Sequence, residues 1–444
     1  MKESTTFTYK ILFITHVVEM AGANRSMLQL IIELRNYYNI YPVVLYPENR
    51  DSQISIVSKL KELDIESIAY DIRFFKTNSH LTHNEKCYYL KYLNSIKKDS
   101  SLLRKLNSYH FDLIHSNSSV IDIGGYISRI LKIKHVWHLR EFGDLDYNLH
   151  CILGNHYEQK TYQNGDAFIA ISQHIKEHFS CLIDSCNIHL IYNGIYTNTP
   201  PKKSIVTHPT IQFVCAGLIT ESKNQLEIVK AVKYLVLRNI HDFHLTLVGL
   251  WTQPYITELQ HYINKNNLIN YVTILHEIDN IHSLLAHMDI GIMPSNAEAF
   301  GRVTVEYMLN KLAVIANDGG ANTEIIEDGV SGIIYPKGDA KKLSYKMQNL
   351  INNRKFIIQL AENGYLKANE KFLSRQNSKQ IFILYKRLLS TKDSYINNII
   401  QYSNLSLSFF LSKEYLLLKI HATYTLFRHY IHIYKLKLLH VTNI

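Results

Sequence analysis

Ser295-Asn296-Ala297-Glu298-Ala299-Phe300-Gly301-Arg302-Val303-Thr304-Val305-Glu306 decides how this chain folds. A short apolar run, Ile290 to Met293, enters the small-residue loop and an apolar-periodic stretch leaves it, so the segment reads as strand, loop and helix start. A helix start leaves backbone N–H groups unpaired, and these together with the helix dipole favour an anion. Glu298 lies in the loop and Glu306 on the first turns of the helix. Carboxylates accept hydrogen bonds and do not donate them, so this pair suits a hydroxyl-rich ligand whose phosphates lie against the amides. Two acids near a helix start also complement its dipole with no ligand, and the spacing alone leaves both readings open.

Outward from this segment one alternation repeats. Strand-like runs fall at 211–216, 243–248, 272–275, 290–293, 313–316 and 332–335, and before them at 11–15, 43–46, 113–115, 135–139, 168–171 and 190–192, with longer helical patterns between. Continuous apolar strands joined by helices predict parallel sheets covered on both faces, an α/β organisation. Residues 197–208, with Pro200-Pro201-Lys202-Lys203, read as a linker. The chain then divides into a first Rossmann-like domain (1–196), a second (209–371), a helix over 372–392 and a tail (393–444). Ligands of such sheets bind at the carboxyl ends of the strands, so the cleft between the domains is the expected site.

In the tail, Leu417, Ile420, Tyr424, Phe427, Ile431, Tyr434 and Leu438 recur at steps of three and four and draw one apolar stripe along a helix. Lys413, Lys419, Arg428, Lys435 and Lys437 accompany it. Such a basic amphipathic helix can lie in a membrane interface, pack on the protein itself or enter a coiled coil, and periodicity does not choose among these.

Composition sets further bounds. Of 444 residues, 19% are charged and 46% hydrophobic, which excludes wholesale disorder. The formal charge of +10 favours polyanions or anionic lipid. No zinc-finger spacing, RNP-type aromatic motif or block of Lys and Arg accompanies it, so nucleic acid is not the expected partner. Cys87, Cys151, Cys181, Cys186 and Cys215 lack C-x-x-C spacing and read as reduced thiols of a cytoplasmic protein. The run Ile11 to Val18 is short, broken by His16 and without a cleavage site, so it reads as a first core strand. No run of eighteen uncharged apolar residues exists, and no spanning helix is expected.

Other segments carry candidate chemistry. Met20-Ala21-Gly22-Ala23-Asn24-Arg25-Ser26 follows the first strand; Gly22 permits close backbone approach, and Asn24 or Ser26 can cap the following helix. Cys215-Ala216-Gly217-Leu218-Ile219-Thr220-Glu221-Ser222-Lys223 follows a strand, and Lys223 can reach a diphosphate as a point charge. Val136-Trp137-His138-Leu139-Arg140-Glu141-Phe142-Gly143 ends a strand expected to face the cleft, and Arg140 and Glu141 are candidates to pair with each other. Asp144-Leu145-Asp146 spells a tripeptide that binds divalent metal in other folds, but helix-terminal phosphate sites need no metal, and none is expected here. Ser172 and Asn193-Gly194 read as turn formers. Gly319-Gly320-Ala321-Asn322-Thr323-Glu324 marks another loop-to-helix junction.

Together these motifs resemble the retaining family-4 glycosyltransferases of GT-B fold, over about residues 9 to 390. The phrase E-x-F-G-x-x-x-x-E is matched throughout. The resemblance implies that Glu298 contacts donor-sugar hydroxyls, that the Phe300, Gly301 and Arg302 amides approach the phosphates and that Glu306 holds the ribose. Gly22 and Gly217 would lie in phosphate-facing loops, Lys223 would bind the diphosphate, and His138 would touch the sugar near its reacting carbon. The Gly319-Gly320 segment would lie near the donor base or sugar, and the 372–392 helix would cross back to the first domain. Where the family carries G-R-x-x-x-x-K, this chain has Leu218 in place of Arg, and Arg302 is a candidate to compensate. The expected function is metal-independent, retaining transfer of a hexose from a UDP- or GDP-linked donor, with no further cofactor. The acceptor would be a glycan or a polyprenyl-diphosphate-linked chain of cell-surface polysaccharide synthesis, reached from the inner face of the plasma membrane. A GT-B sugar-nucleotide epimerase and a non-catalytic nucleotide-sugar or glycan-binding partner remain as alternatives.

Overall fold

A computed structural model describes residues 7–48, 55–78, 82–163, 165–197, 209–278 and 280–390. The 393–444 tail stripe lies outside these residues. Before the linker, seven parallel strands form one sheet: β1 (Tyr9–Ile14), β2 (Ile40–Pro47), β3 (Glu66–Tyr70), β4 (Leu113–Ser116), β5 (Lys134–Leu139), β6 (Ala167–Ala170) and β7 (Ile188–Leu190). Their order is β3-β2-β1-β4-β5-β6-β7. After the linker come β8 (Ile211–Ala216), β9 (Phe243–Val248), β10 (Val272–Leu275), β11 (Ile290–Met293), β12 (Ala313–Asn317) and β13 (Ile333–Tyr335), in the order β10-β9-β8-β11-β12-β13. Both orders reverse beside the first strand of their sheet, so each sheet opens a crevice at its carboxyl edge.

Four strands of the second sheet have the bounds expected from their apolar runs, because a strand buried on both faces is apolar at every position. Strand β3 was not expected. Its sequence, Glu66-Ser67-Ile68-Ala69-Tyr70, buries one residue in five, as an edge strand with only one neighbour does. Strand β7 ends at Leu190, two residues before its expected end, where the chain turns toward the second domain.

Three helices position the cleft: α1 (Gly22–Tyr38), α2 (Arg302–Leu309) and α3 (Ser374–Ser390). Helix α3 crosses back onto the first domain. Ser374 Oγ donates to Glu33 Oε1 at 2.8 Å, and Asn377 Nδ2 donates to the Tyr192 carbonyl at 2.6 Å. The crossing needs Gly194, since a β-carbon there would lie 2.5 Å from the Ser374 Cα. Tyr192, Phe300 and Phe372 meet where the chain passes between domains, with ring centroids 5.4 to 6.3 Å apart. Among the described residues no helix is long and apolar enough to cross a membrane.

Helix α2 is anchored from below. Tyr307 is fully buried, and its hydroxyl accepts from the Ala216 amide at 2.6 Å. Gly291 makes room for this ring, since a β-carbon there would sit 2.1 Å from Tyr307 Cδ2. Gly291→Ala should therefore destabilise the second domain by about 1–3 kcal/mol, the usual range for overpacking. A lower urea midpoint checks this, and an unchanged midpoint would contradict the packing described.

Candidate active site

Glu298 joins three loops at the carboxyl edge of the second sheet. Its carboxylate accepts from the Gly301 amide at 3.2 Å and pairs with Lys223 Nζ at 2.8 Å. Lys223 ends a single 3-10 turn, Glu221–Lys223, after the β8 loop. The Glu298 carbonyl accepts from the Ala321 amide at 2.9 Å. Gly320 lies so close to that carbonyl that a β-carbon would approach it to 2.2 Å, and its φ of +58° is one that glycine adopts readily.

Gly301, at φ +86°, turns the chain into α2. No side chain caps this helix and no acid lies in its first turn, so its opening amides are offered to a ligand. Glu306, one turn further on, holds Arg302 Nε at 3.0 Å. Arg302 Nη1 also donates across the cleft to Ser26 Oγ at 3.0 Å. Facing it, α1 begins at Gly22 with no side-chain cap and no acid in its first turn, and nothing lies within 4 Å of a β-carbon built on Gly22. Gly217, at φ +127°, leads from β8 to Leu218, which is 55% exposed. Glu298, Glu306, Lys223, Arg302, Gly301, Gly217 and Gly22 thus gather on the cleft. Phe300 contributes its backbone there, while its ring is buried between Tyr192 and Phe372.

Several expectations need correction. His138 does not face the cleft. It is wholly buried, and its Nδ1 lies 3.1 Å from His115 Nε2 and 3.3 Å from Arg140 Nη2. His138 is the next-to-last residue of β5, whose last five residues, His135 to Leu139, are all buried, so the strand end does not open it to the cleft. Arg140 and Glu141 do not bond to each other. Arg140 donates to Asn117 Oδ1 and Asn193 Oδ1, at 2.5 and 2.6 Å, whereas Glu141 Oε1 accepts from Ser118 Oγ at 2.6 Å and Ser119 Oγ at 2.7 Å. Asn24 does not cap α1; its amide donates to the Val17 and Glu19 carbonyls and shapes the preceding loop. Glu324 turns from the donor side to the first domain, accepting from the Gln173 amide at 2.7 Å and the His174 amide at 3.0 Å. Asp146 accepts from the Gly143 amide at 2.7 Å and closes a turn, while Asp144 Oδ1 lies 3.2 Å from His178 Nε2.

Asn117, Asn193 and Glu324 were missed by sequence reasoning. Ser116-Asn117-Ser118-Ser119, a polar run where the strand β4 ends, was the available sequence signal for the first, and the structure buries all four. For Glu324 none was available, because its partners lie about 150 residues away in the other domain.

Burial governs the charges beneath the cleft. It holds His115 and His138 far below the usual imidazole range, helped by the nearby Arg140 cation, and lowers His135 to about 3. Arg140 is pushed down to about 9 by burial; Glu141 opposes this and the Arg302 charge adds to it. Burial likewise raises the Asp146 carboxyl to about 6.

Two parallel-sheet domains, each with an uncapped helix start, a Lys–Glu pair in the second and a helix that returns to the first are the architecture of GT-B glycosyltransferases. Residues 21–199 match Glycosyltransferase Family 4 and residues 198–367 match Glycosyl transferases group 1. The chain belongs to these glycosyltransferases, enzymes of the hexosyltransferase class. An uncharacterized glycosyltransferase of Methanocaldococcus jannaschii is 26% identical over 341 residues, 74% of this chain and 90% of that protein. The capsular polysaccharide biosynthesis glycosyltransferase CapM of Staphylococcus aureus is 26% identical over 177 residues, 40% of this chain and 46% of that one. Anabaena HepE, solved in complex with UDP and glucose, superposes with a TM-score of 0.68 at 20% identity, over 85% of this chain and 99% of that one.

The buried imidazoles make stability depend on pH. Their folded values lie below the unfolded value of about 6.5, so their contribution is complete above that pH and declines as pH falls toward the folded values. Below pH 6.5 the first domain should lose about 1 kcal/mol per buried imidazole for each pH unit. Denaturant titrations followed through the buried Trp137 should show this, and His135→Asn should flatten the slope; stability constant down to pH 4.5 would contradict the assignment.

Proposed function

We propose that this enzyme moves a hexose from a nucleoside diphosphate sugar, UDP- or GDP-linked, to a glycan or polyprenyl-diphosphate-linked acceptor of cell-surface polysaccharide synthesis, retaining anomeric configuration and using no metal. The observation that carries it is the Glu298 carboxylate, fixed by Lys223 and the Gly301 amide beside the uncapped start of α2. Donor-sugar hydroxyls donate to Glu298, the α2 amides and Lys223 take the diphosphate, and Glu306 takes the ribose hydroxyls. The pairs seen here, Lys223–Glu298 and Arg302–Glu306, keep these groups in place until phosphate and hydroxyls share them. In transfer, the bond from the anomeric carbon to the diphosphate oxygen breaks and its electron pair leaves with that oxygen. The acceptor oxygen bonds to the same face of the carbon and gives its proton to the departing diphosphate. Lysine and helix amides supply the positive field that a metal supplies in other folds.

The UDP complexes of the Anabaena neighbour support a uridine donor, and the capsular name of the S. aureus relative supports a surface-polysaccharide acceptor. The basic stripe of residues 393–444 supports attachment to the inner face of the membrane. Exposed Leu218, where phosphate-binding Arg is usual, favours a second reading, a non-catalytic nucleotide-sugar binder.

Turnover of a panel of UDP- and GDP-sugars in EDTA separates the two. Transfer or slow hydrolysis of one donor, lost in Glu306→Ala and reduced about 10²- to 10³-fold in Lys223→Ala, is expected. Binding without turnover would establish the second reading. Deleting residues 400–444 should release the protein from anionic liposomes, and unchanged binding would remove the membrane assignment.

A further inference from the structure

We propose that Arg140, contributed by the first domain, neutralises the donor diphosphate in the role that Leu218 leaves vacant in the second. The inference rests on the donor reading above. Arg140 is only 7% exposed, yet among the described residues no carboxylate lies within ion-pairing distance of it. Its bonded partners are all neutral: Asn117 Oδ1 to Nε, Asn193 Oδ1 to Nη1 and His138 Nδ1 near Nη2.

The histidine relay fits that environment. With Tyr385 Oη donating to His115 Nδ1 at 2.6 Å and His115 Nε2 donating to His138 Nδ1, the latter is an acceptor and both rings are neutral. The nearest acid in sequence, Glu141, is occupied by Ser118 and Ser119. A guanidinium has five N–H bonds, and three are used here, leaving one on each terminal nitrogen. Glu141 favours the charge only through space, and a buried cation with no bonded carboxylate is incompletely compensated, so the site is completed when an anion arrives.

Location identifies the anion. Asn117, which holds Arg140 Nε, donates its own amide to the Ala23 carbonyl at 3.2 Å, in the first turn of α1. Arg302 reaches Ser26, one turn further along the same helix. Both guanidinium groups are thus tied to the first turns of α1, and cations crowd there: Arg302 disfavours the charge of Arg140, and Arg25 that of Arg302. Cations gathered at an uncapped helix start, opposite α2 and Lys223, match the oxygens of a diphosphate. Leu218 cannot supply a charge, and Arg140 supplies it from the opposite side. The negative charge that grows on the leaving diphosphate oxygen, met in part by Lys223 and the α2 amides, would then be met in full only when the two domains face each other.

The test is a mutant cycle between positions 140 and 218, read by the affinity of UDP and of uridine, or of GDP and guanosine if the wild type prefers these. Arg140→Gln should weaken the diphosphate about tenfold or more, as loss of a charged hydrogen bond does, and leave the nucleoside within about twofold. Leu218→Arg should restore most of the loss in Arg140→Gln but add less than about threefold to the wild type, because the two positions serve one charge. Arg140→Met, which keeps most of the side-chain length without its charge, provides the same comparison if Arg140→Gln does not fold. Equal losses for nucleoside and diphosphate, or additive effects of the two substitutions, would overturn the proposal. A wild type that binds neither diphosphate would overturn the donor reading itself, and this inference with it.

Discussion

The cleft depends on one carboxylate being held from several sides. Glu298 receives Lys223 from the loop after β8 and the Gly301 amide from its own loop, and its backbone carbonyl receives Ala321 from the loop after β12. Three loops that are far apart in sequence are thereby fixed relative to one another. Around this point the chain needs conformations that glycine adopts readily: Gly301 and Gly320 both have positive φ, and Gly320 also touches the Glu298 carbonyl. The first amides of α2 are left without a side-chain cap beside this carboxylate. Each contact is modest, but together they set in advance the positions of the groups that, in the proposed transfer, would meet a developing negative charge, which is where positioning contributes most.

The two domains meet through few polar contacts. Glu324 accepts from two amides at the start of the first-domain helix Gln173–Phe179 and lies 2.5 Å from His174 Nδ1, while Arg302 crosses to Ser26. Behind them, Tyr192, Phe300 and Phe372 form an aromatic hinge where the chain passes from one domain to the other. Phe300 belongs to both systems, its backbone to the phosphate loop and its ring to the hinge. The aromatic contact between the domains is thereby joined through one residue to the loop that carries Glu298 and Gly301. Such coupling suits an enzyme that must exclude water before its reactive centre forms.

Beneath the first-domain rim, polarity is spent on support. His115, His138, Tyr385, Asn117 and Asn193 form a neutral network around one cation. That network explains why His138 is buried although its sequence context resembles a cleft residue. His138 lies against the Arg140 guanidinium, 3.3 Å from Nη2, and helps fix its orientation.

The sequence by itself determined the two parallel sheets and the strand-to-helix form of the paired-glutamate loop, because a strand buried on both faces is apolar throughout and a helix start after such a strand needs glycine and small residues. The placement of Glu298, Glu306, Lys223, Gly301 and Gly22 at loop and helix starts was legible for that reason, since it follows from local chain geometry. Only the tertiary structure decided that His138 lies under Arg140, that Arg140 turns to Asn117 and Asn193 instead of Glu141, and that Glu324 faces the first domain. Those outcomes depend on which side chains meet across separations of up to about 270 residues, as between His115 and Tyr385. Hydrophobic periodicity reports which face of an element is buried, but the direction and partner of a buried polar group are set by whatever packs against it.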